Sequence, residues 1–345
     1  MQHDTARRHP GLSPSLAGLA ALIACALLLP IMGMAEPLPS PTPNVNGEMT
    51  FSISAVGDCT LGGDPRKGSK AAFDRAFERL SGDYAYYFRE VAELFAEDDL
   101  TIANLEGALT QRKKFRKGEI FVFRGDPEYA KILSAGGIDA VTLANNHAID
   151  FLEGGLRDTR EALDSEGIAH FGFDDTAIVE VKGVKIGLCG FTTWRSDFKQ
   201  IERVVGDLAA SCDLVIASFH WGEENVGKAT KRQVKLGRFA IDAGADLVLG
   251  HHPHVVGGIE TYKGKRIVYS LANFCFGGNR RLRDRDSFVY RQRYRVAGGE
   301  VTDDGYEIIP CLTATGKEGN NYQPAPATGK DAERILKRIK KLSPK

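Results

Sequence analysis

A chain of 345 residues with 43% hydrophobic content can bury a large core, which excludes a disordered or fibrous protein and favours one big domain over several modules. Lysine plus arginine and aspartate plus glutamate both number 45, so the formal charge is zero and no global field draws the chain to nucleic acid. Any charged partner has to be met by a local patch.

The first predicted element is a leader. Arg7 and Arg8 precede an apolar run over residues 16–31, and Gly33, Met34 and Ala35 supply small residues at the spacing of a signal-peptidase site. Residues 1–35 therefore read as a signal peptide of an exported protein, periplasmic or at the cell surface. An uncleaved anchor is the alternative, although the run is short for a span and Pro30 interrupts it. Lipid attachment at Cys25 is a third reading, opposed by the apolar residues that continue past it. Residues 36–48, rich in Pro, Ser and Asn, read as an extended linker, residues 49–328 as the domain, and residues 329–345 as a basic terminal helix. Five cysteines follow the leader. Their odd number and lack of metal-knuckle spacing argue for small buried residues, with Cys59 alone near the chemistry proposed below.

From residue 50 short apolar runs alternate with amphipathic stretches. The pattern predicts a strand at 50–56, helices at 73–80 and 86–96, a short apolar run at 100–103, a helix at 127–134 and a strand at 140–143. A helix at 156–165 ends on Gly167, and two valine-rich runs flank Lys182 and Gly183 as a hairpin. Then come a helix at 204–210, a strand at 214–219, a helix at 233–243 and a strand at 247–249. A second hairpin turns at Lys263 and Gly264, strands follow at 287–296 and 306–309, and a helix at 332–342 closes the chain. Such alternation predicts a layered α/β domain to which hairpins add antiparallel strands.

The metal-type residues fall in five clusters, each just beyond the carboxyl end of an apolar run. They are Asp58, then Asn104 with Glu106, then Asn145, Asn146 and His147, then His220, and last His251, His252 and His254. In open α/β sheets those ends share one crevice, where ligands bind. A lone histidine such as His220 is ordinarily a hydrogen-bonded structural residue; five clusters in register outweigh that reading. Two carboxylates, an amide oxygen and several imidazoles would suit a pair of divalent cations such as Mn, Fe or Zn, with positions left for substrate. A carboxylate between two metals can bridge them, and an unligated histidine nearby can protonate a leaving group.

Six ordered motifs carry a family resemblance. They are Gly57-Asp58 with Leu61-Gly62, Asn104-Leu105-Glu106-Gly107, Asn145-Asn146-His147-Ala148-Ile149-Asp150, His220-Trp221-Gly222-Glu223, His252-Pro253-His254-Val255, and Tyr269-Ser270-Leu271-Ala272-Asn273-Phe274. Over residues 50–330 the chain resembles the capsule-synthesis (CapA, polyglutamate-capsule) branch of the metallophosphoesterase superfamily. The resemblance implies a four-layer α/β/β/α sandwich with mixed sheets. It also implies that Asp58 and His254 hold one metal and Asn146, His220 and His252 the other, with Glu106 as the bridge. His147 would be the general acid and His251 a neighbour of the site. The chain departs from the wider superfamily at Thr60, where the first motif ordinarily has His, and at Glu106, where the bridge is ordinarily Asp. Phosphoesterase activity therefore does not follow from the fold.

Other residues carry two readings each. Asp150 either orients His147 or caps the following helix, Glu223 and Glu224 are contacts to the site or a solvated loop, and Trp221 stacks on substrate or roofs the site. Asn104 and Asn273 lie within the motifs as substrate contacts. Residues 280–295 hold seven arginines against two aspartates, a net charge of +5, and on a strand Arg291 and Arg293 would share a face that grips an anionic polymer or stands in solvent. The basic residues of the last helix either touch anionic lipid or polymer or form a solvated face.

Three functions compete. One is an exported capsule or poly-γ-glutamate biosynthesis protein whose metal centre hydrolyses or handles an anionic polymer. Another is a phosphoester or amide hydrolase unrelated to capsule. The third is a non-catalytic scaffold holding polymer beside a membrane synthase. No Gly-x-Ser-x-Gly elbow and no phosphate loop argues for a fourth.

Overall fold

Alternating β-branched and aromatic residues begin the domain with β1 (Met49–Thr60). The computed structural model describes residues 48–67, 72–193, 197–279, 281–316 and 319–344; the leader, the linker up to residue 47 and Arg280 lie outside the described residues. After β1 come α1 (Ala72–Arg79), a 3₁₀ helix at Tyr84–Val91, α2 (Ala92–Ala96) and β2 (Leu100–Leu105). The short strands β3 (Ala108–Leu109) and β4 (Arg124–Gly125) bracket a basic loop, and α3 (Ala130–Ala135), β5 (Ala140–Thr142), α4 (Leu152–Ser165) and β6 (Ala169–Phe171) follow.

The second half begins with the hairpin β7 (Ala177–Val181) and β8 (Val184–Thr192), whose turn puts Lys182 and Gly183 at φ of 50° and 80°. Then come α5 (Phe198–Ala209), β9 (Leu214–His220), α6 (Lys231–Asp242) and β10 (Leu247–His251). Asp197 caps α5 and Thr230 caps α6 in a full capping box with Gln233. The hairpin β11 (Ile259–Tyr262) and β12 (Lys265–Val268) precedes β13 (Asn273–Phe276), and the long hairpin β14 (Asp286–Ala297) and β15 (Glu300–Leu312) precedes β16 (Ala325–Pro326) and α7 (Gly329–Leu342).

These strands form two main sheets of mixed direction. One runs in the order β16-β15-β14-β1-β2-β5-β6 with β13 beside β1, the other β11-β12-β10-β9-β8-β7. Alternation along the strands sorts the apolar residues into three layers. Phe51, Ile53, Leu100 and Ile102 of the first sheet meet Ile186, Leu188, Leu214, Ile216 and Leu249 of the second between the sheets. Val56, Ala103, Leu105 and Val141 face the other way, against Phe73, Phe88, Leu133 and Leu163 of the flanking helices. Val215, Ala217, Phe219 and Val248 pack on Val204, Val205, Leu208 and Leu236 of α5 and α6. Helices, sheet, sheet, helices: the architecture is the four-layer α/β/β/α sandwich that the motif resemblance implied, and strands covered on both faces explain the near-continuous apolar runs.

Two sequence expectations change here. The basic terminal helix does more than present charge: α7 sinks Ile335 and Ile339 between the sheets, and Arg334 and Arg338 pair with Asp286 and Asp284. Cys59, although next to Asp58, turns into the helix-side core, where burial pushes its thiol up to about 12. It takes no part in the site. Among the described residues no helix is long and apolar enough to cross a membrane.

Candidate metal centre

Parallel pairing aligns the carboxyl ends of β1, β2 and β5 in one sheet and of β8, β9 and β10 in the other. Asp58 stands opposite both Asn104 and Asn273, and His220 opposite His251. Close backbone contacts fix these ends. A Cβ on Gly57 would lie 2.0 Å from the Ala272 carbonyl oxygen, and the Asp58 N–H donates to that same oxygen at 2.8 Å. His252, His254 and Ala272 hold φ of 95°, 57° and 62°, left-handed backbone that costs on the order of 1 kcal/mol or more per residue and gathers around the site.

The floor is built from two buried carboxylates and the imidazoles gathered around them. Asp58 Oδ1 accepts from Asn104 Nδ2 at 2.8 Å and lies 3.4 Å from His251 Nδ1, while Oδ2 is 3.1 Å from His254 Nδ1. Glu106 Oε1 lies 3.6 Å from His220 Nε2 and 4.0 Å from His147 Nε2, and Oε2 lies 3.9 Å from His254 Nδ1. His252 Nδ1 and His220 Nε2 are 3.1 Å apart. Two sets of donors can each converge on a cation, Asp58 with Glu106 and His254, and Glu106 with His220 and His252, and Glu106 belongs to both.

Electrostatics follows from burial and charge. Burial pushes the Glu106 carboxyl up to about 7, against the pull of His254. Asp58 is buried too, which opposes its ionisation, yet the His251 and His254 imidazoles 3.4 and 3.1 Å away hold it well below the usual carboxylate range. His254 stays protonated up to about 10 despite its burial, because Glu106 and Asp58 face it. Burial and the charge on His254 bring His252 down to about 4, and burial with His252 lowers His220 as well. The two neutral imidazoles offer lone pairs.

A fit test for a metal lies in the unmatched acceptors. Both Glu106 oxygens and Asn146 Oδ1 are buried and accept no hydrogen bond from any described residue. Uncompensated buried acceptors are costly unless an ion or water completes them. Carboxylate, amide oxygen and imidazole together suit a divalent cation. The residues present therefore fit the group that their motifs imply.

His147 and Asp150 stand together at the edge of this floor. His147 Nδ1 meets Asp150 Oδ2 at 2.7 Å, the Phe123 N–H donates to the same oxygen at 2.7 Å, and the Phe123 and His147 rings lie 4.3 Å apart. Burial opposes the charge on His147, but Asp150 and Glu106 outweigh it and raise its pKa. Asp150 thus orients His147 rather than capping α4.

Five of the six predicted substrate contacts are placed differently, Glu223 among them. Asn104 is fully buried and ties Asp58 to Asn145, whose Nδ2 donates to Asn104 Oδ1 at 3.0 Å. Trp221 is buried against Phe219 and donates to the Tyr269 carbonyl at 2.9 Å, so it belongs to the helix-side core. Arg291 is 9% exposed and locked to Asp98 at 2.7 Å and to the Leu94 carbonyl at 2.7 Å. It pairs with Ser54, and the exposed Arg293 pairs with Ser52, which puts both roughly 13–20 Å down the strand from Asp58. Charge composition gave no register; the strand pairing does.

Asn273 does reach the site, with Oδ1 2.9 Å from His254 Nδ1. Glu223 does not line it and instead faces a separate hollow with Thr230 and Arg232, while Glu224 joins His147, His254 and Asn273 around a pocket of about 310 Å3. Phe121, Phe123, Phe276, Arg281, Arg283 and Asp284 also line it. The arginine segment reaches the site through its loop at 281–283, not through β14. A larger hollow of about 530 Å3 along α6 contains no histidine.

Fold and site together define an α/β/β/α protein with a candidate metal-binding cluster at its strand ends. The chain belongs to the family described as bacterial capsule synthesis protein PGA_cap, which it matches over residues 52–278. It is 29% identical to the capsule biosynthesis protein CapA of Bacillus anthracis over 74% of this chain and 67% of that one. It is also 29% identical to the PGA biosynthesis protein CapA of Bacillus subtilis (strain 168), over 78% of this chain and 76% of that one. Among solved structures the calcineurin-like phosphoesterase YfkN from Bacillus subtilis superimposes with a TM-score of 0.47 at 14% identity, covering 85% of this chain and 97% of that chain.

Proposed function

We propose that this chain is an exported protein of capsule or poly-γ-glutamate biosynthesis whose strand-end centre binds two divalent cations and acts on an anionic polymer. The observation that carries the reading is Glu106, a buried carboxylate with both oxygens unmatched and three histidines around it. Asp58 and His254 would hold one cation and Asn146, His220 and His252 the other, with Glu106 shared. Bound there, divalent cations supply Lewis-acid charge to polarise an electrophile and activate water.

The chain's own residues do the rest. Asp150 takes the Nδ1 side of His147, which lines the pocket, and leaves Nε2, 4.0 Å from Glu106 Oε1, as the atom that delivers a proton to a leaving oxygen or nitrogen. Arg281 and Arg283 line the mouth and would draw an anionic chain toward the floor. Export is supported by the leader's charged flank and apolar run, and a membrane synthase is the partner proposed with it.

The test is incubation of the purified Mn2+-loaded protein with poly-γ-glutamate of defined length and with an aryl phosphodiester. Shortening of the polymer that is lost in His147→Gln supports a hydrolase of capsule polymer. Cleavage of the phosphodiester alone moves the protein to a phosphoesterase unrelated to capsule. Binding of polymer without cleavage leaves the scaffold reading, and neither binding nor cleavage overturns the proposal.

A further inference from the structure

The turn that follows β9 carries a carboxylate that the motif reading leaves without a role. We propose that Glu224 is a ligand of the metal centre, closing it on the solvent side by holding a divalent transition-metal cation together with His252 and His254. The inference rests on the reading that the floor binds metal and adds to it a residue and a direction of approach. One donor atom each from Glu224, His252 and His254 lies within 4.8 Å of the others, a spread that one cation can gather.

The position is built by backbone. The Trp221 N–H donates to the His251 carbonyl at 3.1 Å and the Asn225 N–H to the Pro253 carbonyl at 2.8 Å, so the turn after β9 is fastened to the turn that carries His252 and His254. Asn225 reverses the chain at a φ of 63°, and Val226 N–H closes the turn on the Glu223 carbonyl at 3.2 Å. Within that turn the two neighbouring glutamates part company. Glu223 lines the hollow beside Arg232, and Glu224 lines the pocket above the floor.

The chemistry of the three residues is complementary. His252 and His254 each also belong to one of the two buried donor sets, so the Glu224 group straddles both. Glu224 is exposed and forms no hydrogen bond or ion pair with any described residue, whereas Asp58 and Glu106 are fully buried. A hydrated cation arriving from solvent therefore meets Glu224 before it meets the floor. An exposed carboxylate can exchange water ligands for protein ligands one at a time, which a sealed floor cannot.

The experiment titrates chelator-stripped full-length protein with Zn2+ alone, by calorimetry and by competition with a chromophoric chelator. Glu224→Gln is expected to weaken Zn2+ binding by about tenfold or more, Glu224→Ala to do the same, and Glu223→Gln to leave it unchanged. Matching melting temperatures in chelator would show that the fold is kept. Wild-type titration curves from both Glu224 variants, with binding lost in His252→Ala, would overturn the role of Glu224 and leave the floor intact. No Zn2+ binding by the wild-type protein would overturn the metal reading itself, and this inference with it.

Discussion

Two regions of the first sheet bury charge, and they do so in opposite ways. On β14 the guanidinium of Arg291 is matched by Asp98 at 2.7 Å, with further hydrogen bonds to the Leu94 carbonyl and the Ser54 hydroxyl. At the carboxyl ends of β1 and β2, Glu106 is buried as deeply, yet its two oxygens are left without a hydrogen bond from any described residue. A completed buried pair serves the fold; an incomplete one points to a ligand. The lesson is that charge density alone does not mark a site. What marks it is a buried carboxylate whose oxygens accept no hydrogen bond at an open strand end.

The largest expected effect separates the two regions directly. His252→Ala should remove at least one metal equivalent per chain, measured by elemental analysis after loading and dialysis, because His252 contributes to two of the three donor groups. Arg291→Ala should leave metal content untouched and cost about 3–5 kcal/mol of stability in chemical denaturation, since it strands the buried Asp98 carboxylate. If Arg291→Ala emptied the metal centre instead, the division between the two regions would be wrong.

A smaller effect tests the floor without metal. Glu106 has its pKa raised from 4.5 to about 7, so the folded, metal-free chain holds a proton there that the unfolded chain releases earlier. Stability from this group is complete below pH 4.5 and is lost as pH rises through about 7. Glu106→Gln cannot ionise and escapes that loss. In chelator its unfolding free energy should match wild type near pH 4.5, exceed it increasingly up to about pH 7 by an amount on the order of 3 kcal/mol, and hold that margin at pH 8. A gap of constant size across that range would show that Glu106 does not titrate as its burial requires.

Much of this is legible in the sequence. The run of strands and helices, the hairpin turns at Lys182-Gly183 and Lys263-Gly264 and the convergence of five clusters all follow from periodicity and from the geometry of parallel strands. What escaped depends on register and on turns. Arg291 and Arg293 have the right charge, but a strand of 12 residues can carry it far from the crevice, and sequence does not say which end is near. Glu223 and Glu224 are adjacent and chemically identical, and a turn at Asn225 decides which one meets the histidines. Trp221 sits beside His220, and the two side chains part to opposite faces of the strand end, one to the floor and one to the helix-side core. A reading of strand alternation at β9 would have anticipated that last case.

The smallest expected effect is the most exacting for the comparison. Arg293 projects from β14 into solvent, roughly 20 Å down the strand from Asp58, and lies two residues from Arg291 on a ladder that has the composition of a polyanion grip. If matched charge belongs to the fold and unmatched strand-end charge to the site, Arg293→Ala should change stability by less than about 0.5 kcal/mol. It should also leave binding of poly-γ-glutamate unchanged, as read by fluorescence anisotropy of labelled polymer. Arg281→Ala and Arg283→Ala, on the wall of the pocket, should weaken that binding, and the loss should shrink as salt is raised. A salt-dependent loss in Arg293→Ala equal to theirs would extend the polymer's path along the sheet face. Exposed charge far from the strand ends would then have to count as part of the site.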